Sequence, residues 1–178
     1  MNTSQTIITL GALTLLTVVI LNFNRVFSST EMTMDQNRYR LEALSILSSY
    51  IEQTSQYFFD EASTDTTVAK TLSNFTDPQN LGPDPNDNGI VDDFDDFHNQ
   101  TRLDTGLTGI VYKLMFKVEY VKLLGKNLIV DGNKHYNKRM TIEITDNYPE
   151  PLLRKYVNGE PERDTLRISF IKSYWFYD

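Results

Sequence analysis

Thr6–Phe23 reads TIITLGALTLLTVVILNF, 18 residues without a charge. The first charged side chain of the protein is Arg25. Ile, Leu and Val side chains each gain roughly 1.5–3 kcal/mol on leaving water. Such a run is stable only in lipid or among other apolar helices. At about 1.5 Å rise per residue it is near the lower limit of a bilayer span. Thr9, Thr14 and Thr17 interrupt it with hydroxyls that bond back to carbonyls one turn earlier, and Gly11 admits a close backbone. These residues suit packing of helix on helix. Three readings compete: a membrane anchor, a secretory signal, or the packing stalk of a polymer. The signal reading is the weakest. Met1 to Gln5 has no Lys or Arg, and Asn24-Arg25-Val26-Phe27-Ser28-Ser29 offers no small-residue cleavage site. The missing N-terminal basic residue is unusual for a simple anchor, and is accounted for if Met1 follows a removed basic leader.

Working outward, the helical pattern continues. Leu41, Leu44, Leu47, Ile51 and Phe58 fall on one stripe, with Arg38, Arg40, Glu42, Gln53 and Gln56 between them. No Pro or Gly occurs between Ala12 and Asp60. The spacing predicts one nearly continuous helix from Thr3 to Phe59, about 85 Å long at 1.5 Å per residue. Residues 1–25 are apolar all round and residues 26–59 are amphipathic. Ser28-Ser29-Thr30 before Glu31 allows a break.

Residues 60–106 lose all periodicity and read as a long loop rich in Thr, Asp, Asn, Pro and Gly. The net charge of −7 belongs to this segment: Asp60–Asp104 holds 11 acidic side chains against Lys70 and Arg102. No basic face is available for nucleic acid. Cys is absent, which excludes disulfides and thiolate chemistry.

Residues 107–178 alternate. Tyr112, Leu114, Phe116, Val118 and Tyr120 interleave with Lys113, Met115, Lys117 and Glu119. Met140, Ile142 and Ile144, then Leu166, Ile168 and Phe170, do the same. Asn158-Gly159 signals a type I′ hairpin. The expectation is four strands, at 109–123, 138–146, 152–157 and 163–176, in an antiparallel sheet whose apolar face meets the amphipathic helix. The fold class is α+β: a long N-terminal helix packed on a four-stranded antiparallel sheet.

Within the acidic loop, residues 84–95 read DPNDNGIVDDFD. Against the calcium-loop template, Asp84, Asn86 and Asn88 take positions 1, 3 and 5. Gly89 supplies the sharp turn, Ile90 a backbone carbonyl, Asp92 position 9, and Asp95 position 12, where Glu is usual. A hard cation needs six to eight oxygens, and alternate side chains of a tight loop deliver them to one centre. The segment resembles the helix-less calcium loops of dockerin and thrombospondin type 3 repeats. The expected role of Ca2+ is structural; the competing reading is an open acidic surface loop.

Other signals are weaker. Asn74-Phe75-Thr76 and Asn99-Gln100-Thr101 match the glycosylation pattern. His98 and His135 read as surface loop residues. No nucleophile motif or phosphate loop accompanies the paired carboxylates, so no catalytic residue is assigned. Tyr174-Trp175-Phe176-Tyr177 reads as sheet core and edge cover, or as a subunit or adhesion contact.

An apolar then amphipathic helix, a loop and an antiparallel sheet, in this order, resembles a type IV pilin or pseudopilin. The resemblance implies a subunit stored in the inner membrane by Met1–Phe23. The assembly machinery then builds it into a helical homopolymer with the helices central and the sheets outward. In that family the mature chain follows a cleaved basic leader and often begins with a methylated residue, a position that Met1 fits. This sequence departs from the pattern at three points: Gln5 stands where Glu is usual, Asn22 stands near the usual kinking proline, and no C-terminal disulfide is possible. The expected function is a structural subunit of an extracellular filament. A pseudopilin of a secretion apparatus and a monomeric single-pass calcium-binding domain are the alternatives.

Overall fold

The computed structural model describes residues 3–64, 67, 69–83 and 89–175. The chain divides into two units, residues 1–40 and 41–178.

The first unit is helical from Thr3 onward, as the first part of α1 (Thr3–Ser55). It contains an 18-residue stretch long and apolar enough to cross a membrane, none of it buried. Its hydroxyls are satisfied internally: Thr9 Oγ1 donates to Gln5 O at 3.0 Å, Thr14 Oγ1 to Gly11 O at 2.8 Å and Thr17 Oγ1 to Leu13 O at 2.9 Å. No orphaned polar side chain from these threonines therefore opposes insertion into an apolar phase.

In the second unit the last turns of α1 lie on an antiparallel sheet of five strands. The path is β1 (Thr101–Thr105), β2 (Val111–Leu124), β4 (Asn137–Asp146) and β7 (Leu166–Ser173), with β3 (Asn127–Val130) paired to β2. β5 (Arg154–Val157) and β6 (Glu160–Arg163) form a separate hairpin. The core is the inward parity of β2 and β4, which meet as Leu114↔Ile144, Phe116↔Ile142 and Val118↔Met140. All six of these side chains are buried. The outward parity is charged. Lys117, Glu119 and Arg139 form a chain of ion pairs at 2.7 and 3.0 Å.

The α+β class and the antiparallel sheet stand as expected; several details do not. α1 ends at Ser55 rather than Phe59. Thr54 Oγ1 and Ser55 Oγ bond back to Tyr50 O and Glu52 O, and Lys172 Nζ donates to the freed carbonyls of Ser55 and Tyr57. Cations and side-chain donors at a helix C-terminus satisfy carbonyls that have no intrahelical partner. Beyond it Phe58 leaves the helical stripe to bridge Asp93, with Phe94 N donating to Phe58 O at 2.9 Å. The buried stripe is Ala43, Leu47 and Thr54, whereas Leu41, Leu44 and Phe58 are exposed. Tyr50 stacks edge-on against Phe116 at 5.5 Å.

β1 lies in what reads as loop, and β3 follows the Gly125 turn. The expected strand 152–157 belongs to the small hairpin instead of the main sheet. Its turn has the anticipated positive φ at Asn158 (53°) and Gly159 (88°). The segment between α1 and β1 also holds a single helical turn, α2 (Glu61–Thr64), and two short 3-10 turns. Phe75, Phe94 and Phe97 from this segment are buried, which is what holds it.

Candidate functional site

The densest polar arrangement in the second unit lies where the end of α1, the acidic loop and the sheet meet. β4 alternates, and Lys138 has the same parity as Met140, Ile142 and Ile144. It therefore points inward and its side chain is fully buried. Its register partner on β2 is Tyr120, also buried. The Phe58–Asp93 bridge draws Asp60 and the Asp92–Asp96 run to the same place.

The Lys138 ammonium donates to Phe59 O at 3.0 Å, Asp60 Oδ2 at 2.6 Å and Asp95 Oδ1 at 2.5 Å. It sits 4.7 Å from the Phe59 ring centroid and 5.1 Å from that of Tyr120. Asp60 is tied further. Its carboxylate accepts from Thr76 N at 3.0 and 3.1 Å, Ala62 N at 3.2 Å and the Tyr120 hydroxyl at 3.2 Å. Asp93 Oδ1 accepts from the backbone amides of Asp95 (2.8 Å) and Asp96 (3.0 Å), while Asp96 Oδ2 accepts from Asp92 N at 3.0 Å. The Asp-Asp-Phe-Asp-Asp run thus folds its own carboxylates onto its own amides, and Phe94 and Phe97 fill the apolar space beside them.

The buried carboxyls of Asp93 and Asp95 crowd one ammonium that Asp60 also engages, and burial disfavours their charged forms. Burial, reinforced by the Asp95 charge, pushes Asp93 up to about 9. Burial also raises Asp95, against the pull of Lys138. The Tyr120 phenol is pushed up by burial and by Asp60 and Asp95. At neutral pH Asp93 is therefore a hydrogen-bond donor, and the Asp93 and Asp95 carboxyls are hydrogen-bonded to each other.

Of the residues expected to hold calcium, Asp84, Asn86 and Asn88 lie outside the described residues. Gly89 has the positive φ (79°) that a sharp turn requires. Ile90 is exposed, Asp92 is half-buried, and Asp95 is buried with one oxygen on Lys138. Among the described residues no cluster of three or more His, Asp or Glu side chains is placed to hold a metal. His98 is not a free loop residue: its Nδ1 accepts from Val118 N at 3.1 Å, and burial lowers its pKa. Tyr174 packs on Phe59 and Phe75, whereas Trp175 is exposed.

Sequence reasoning passed over Lys138, Asp60 and Tyr120. The signal for Lys138 was its phase, an ionisable residue on the apolar parity of a strand that must find a buried partner.

No protein-family model matches the sequence, and neither the curated proteins nor the solved structures gave a match.

Proposed function

We propose that this chain is a structural subunit of a type IV pilus-like extracellular filament. Its N-terminal helix holds it in the inner membrane first; assembly machinery then packs that helix against copies of itself. The observation that carries the reading is the apolar stretch of α1, every residue of which is exposed within the chain. Lipid and Leu are equally apolar, so exchanging one for the other is nearly neutral and is driven by packing. The threonine hydroxyls bonded back into the helix, and open space around Gly11, favour close helix contacts. Leu41 and Leu44 leave a further apolar flank on the same helix, 68% and 45% exposed.

The test is electron microscopy of sheared cell-surface material, with the chain identified by mass spectrometry. Regular fibres containing it support the reading. Short periplasmic assemblies indicate a pseudopilin, and detergent-soluble monomers indicate a single-pass anchored domain.

A calcium ion on residues 84–92 is a subsidiary proposal. It rests on the sequence of the loop and the Gly89 turn, with Asp95 already engaged by Lys138.

A further inference from the structure

The buried cluster raises a question of covalent chemistry that is independent of filament assembly. A primary amine and a carboxyl group lie at 2.5 Å, with both side chains at or near zero exposure (0% and 3%). We propose that Lys138 and Asp95 condense spontaneously into an intramolecular isopeptide bond, stapling the acidic loop to β4.

The parts such a reaction needs are in place. Lys138 Nζ is the nucleophile, desolvated and flanked by the Phe59 and Tyr120 rings. Its two carboxylate partners hold the nitrogen in place against Asp95. Asp95 is the electrophile. Its carboxyl is hydrogen-bonded to that of Asp93, which polarises the carbonyl and supplies a proton to the departing oxygen. Asp60, the second carboxylate on the ammonium, takes up the amine's proton.

Asp95 reacts rather than Asp60 because the Asp60 carboxyl is fixed by other donors. Thr76 N, Ala62 N and the Tyr120 hydroxyl all donate to it, so it is not free to turn its carbonyl carbon toward the amine. The step balances without a co-reactant. An ammonium and a carboxylate become an amide and one water. The Nζ–Cγ bond forms and one Cγ–O bond breaks. The ammonium's two surplus protons leave on that oxygen, by way of Asp60 and Asp93, which are both restored. Fixed proximity removes the entropic barrier to a bimolecular condensation. The product also replaces a costly buried ion pair with a neutral amide, in a space that excludes the water needed to reverse the reaction.

The experiment is proteolysis of the denatured full-length chain followed by mass spectrometry of the peptides. A branched peptide joining the Asp95 segment to the Lys138 segment, lighter than its two parts by one water, is expected in most molecules. Lys138 is then inert to amine-labelling reagents under denaturing conditions. Asp95→Asn gives the same branched product by loss of ammonia, Lys138→Arg abolishes it, and Asp93→Ala leaves most chains linear. Linear peptides from the folded wild-type protein, with Lys138 fully labelled, overturn the proposal, as does a branch at Asp60. The deciding measurement is on the wild-type chain, so a variant that does not fold leaves the test intact.

Discussion

Lys138 is one side chain with three oxygen partners, and its surroundings tell what its loss does. Removing one member of a buried ion cluster leaves the others charged, dry and unpaired, which costs about 3–5 kcal/mol. Lys138→Met fits the apolar parity of β4 but abandons Asp60 and loses either the Asp95 ion pair or the amide formed from it, so the free energy of urea unfolding should fall by at least that amount. Asp93 makes the opposite kind of prediction. Its folded pKa is raised from 3.8 to about 9, so the folded chain keeps a proton that the unfolded chain loses early. That stabilisation is complete below 3.8 and drains away as pH rises toward about 9. Thermal melts should show this loss across the interval. Asp93→Asn keeps an acceptor for the amides of Asp95 and Asp96, removes the titration, and should flatten the slope. An unchanged slope in the variant contradicts the assignment. None of this was legible from residue type alone. The acidic run reads as a solvated, self-repelling loop until the fold supplies a lysine from 43 residues away.

At the scale of elements, the helix period and the strand period were readable because each is enforced by one buried face. Period two survives in β2 and β4 since every second side chain meets the core. β1 escaped notice because Arg102 and Asp104 alternate with Thr101, Leu103 and Thr105 on an edge strand with no fully buried residue, leaving no apolar signal. The helix stripe was misphased for a related reason. Leu41 and Leu44 carry the hydrophobic signal, whereas the buried positions are small Ala43, Leu47 and Thr54, with Tyr50 against Phe116 of the sheet. Glu42 ties this part of α1 to the β1–β2 turn: it accepts from Thr108 N at 2.7 Å, Thr108 Oγ1 at 2.5 Å and the Tyr112 hydroxyl at 2.9 Å. Glu42→Ala strands those donors and should cost about 1–3 kcal/mol, read as a lower denaturation midpoint. Leu47→Ala opens the helix–sheet core and should cost about 2–5 kcal/mol by the same measurement.

The whole molecule poses a different problem, because among the described residues the apolar stretch of its longest helix is exposed throughout. The composition of Thr6–Phe23 announces that deficit, and the structure leaves it unfilled. What fills it is a matter of assembly, beyond what one chain's packing specifies. If residues 84–92 hold calcium, millimolar calcium should raise the melting temperature, EGTA should reverse the rise, and Asp84→Ala should abolish it. A calcium response unchanged in that variant removes the loop from consideration. The filament claim is tested most directly through the absence of native cysteine. A chain carrying Leu10→Cys and Val19→Cys can be oxidised on intact cells, and its surface material sheared and run under non-reducing conditions. Packing of each helix against several copies predicts a ladder extending past the dimer in the sheared fraction. Monomer alone, retained in the membrane fraction, would contradict it.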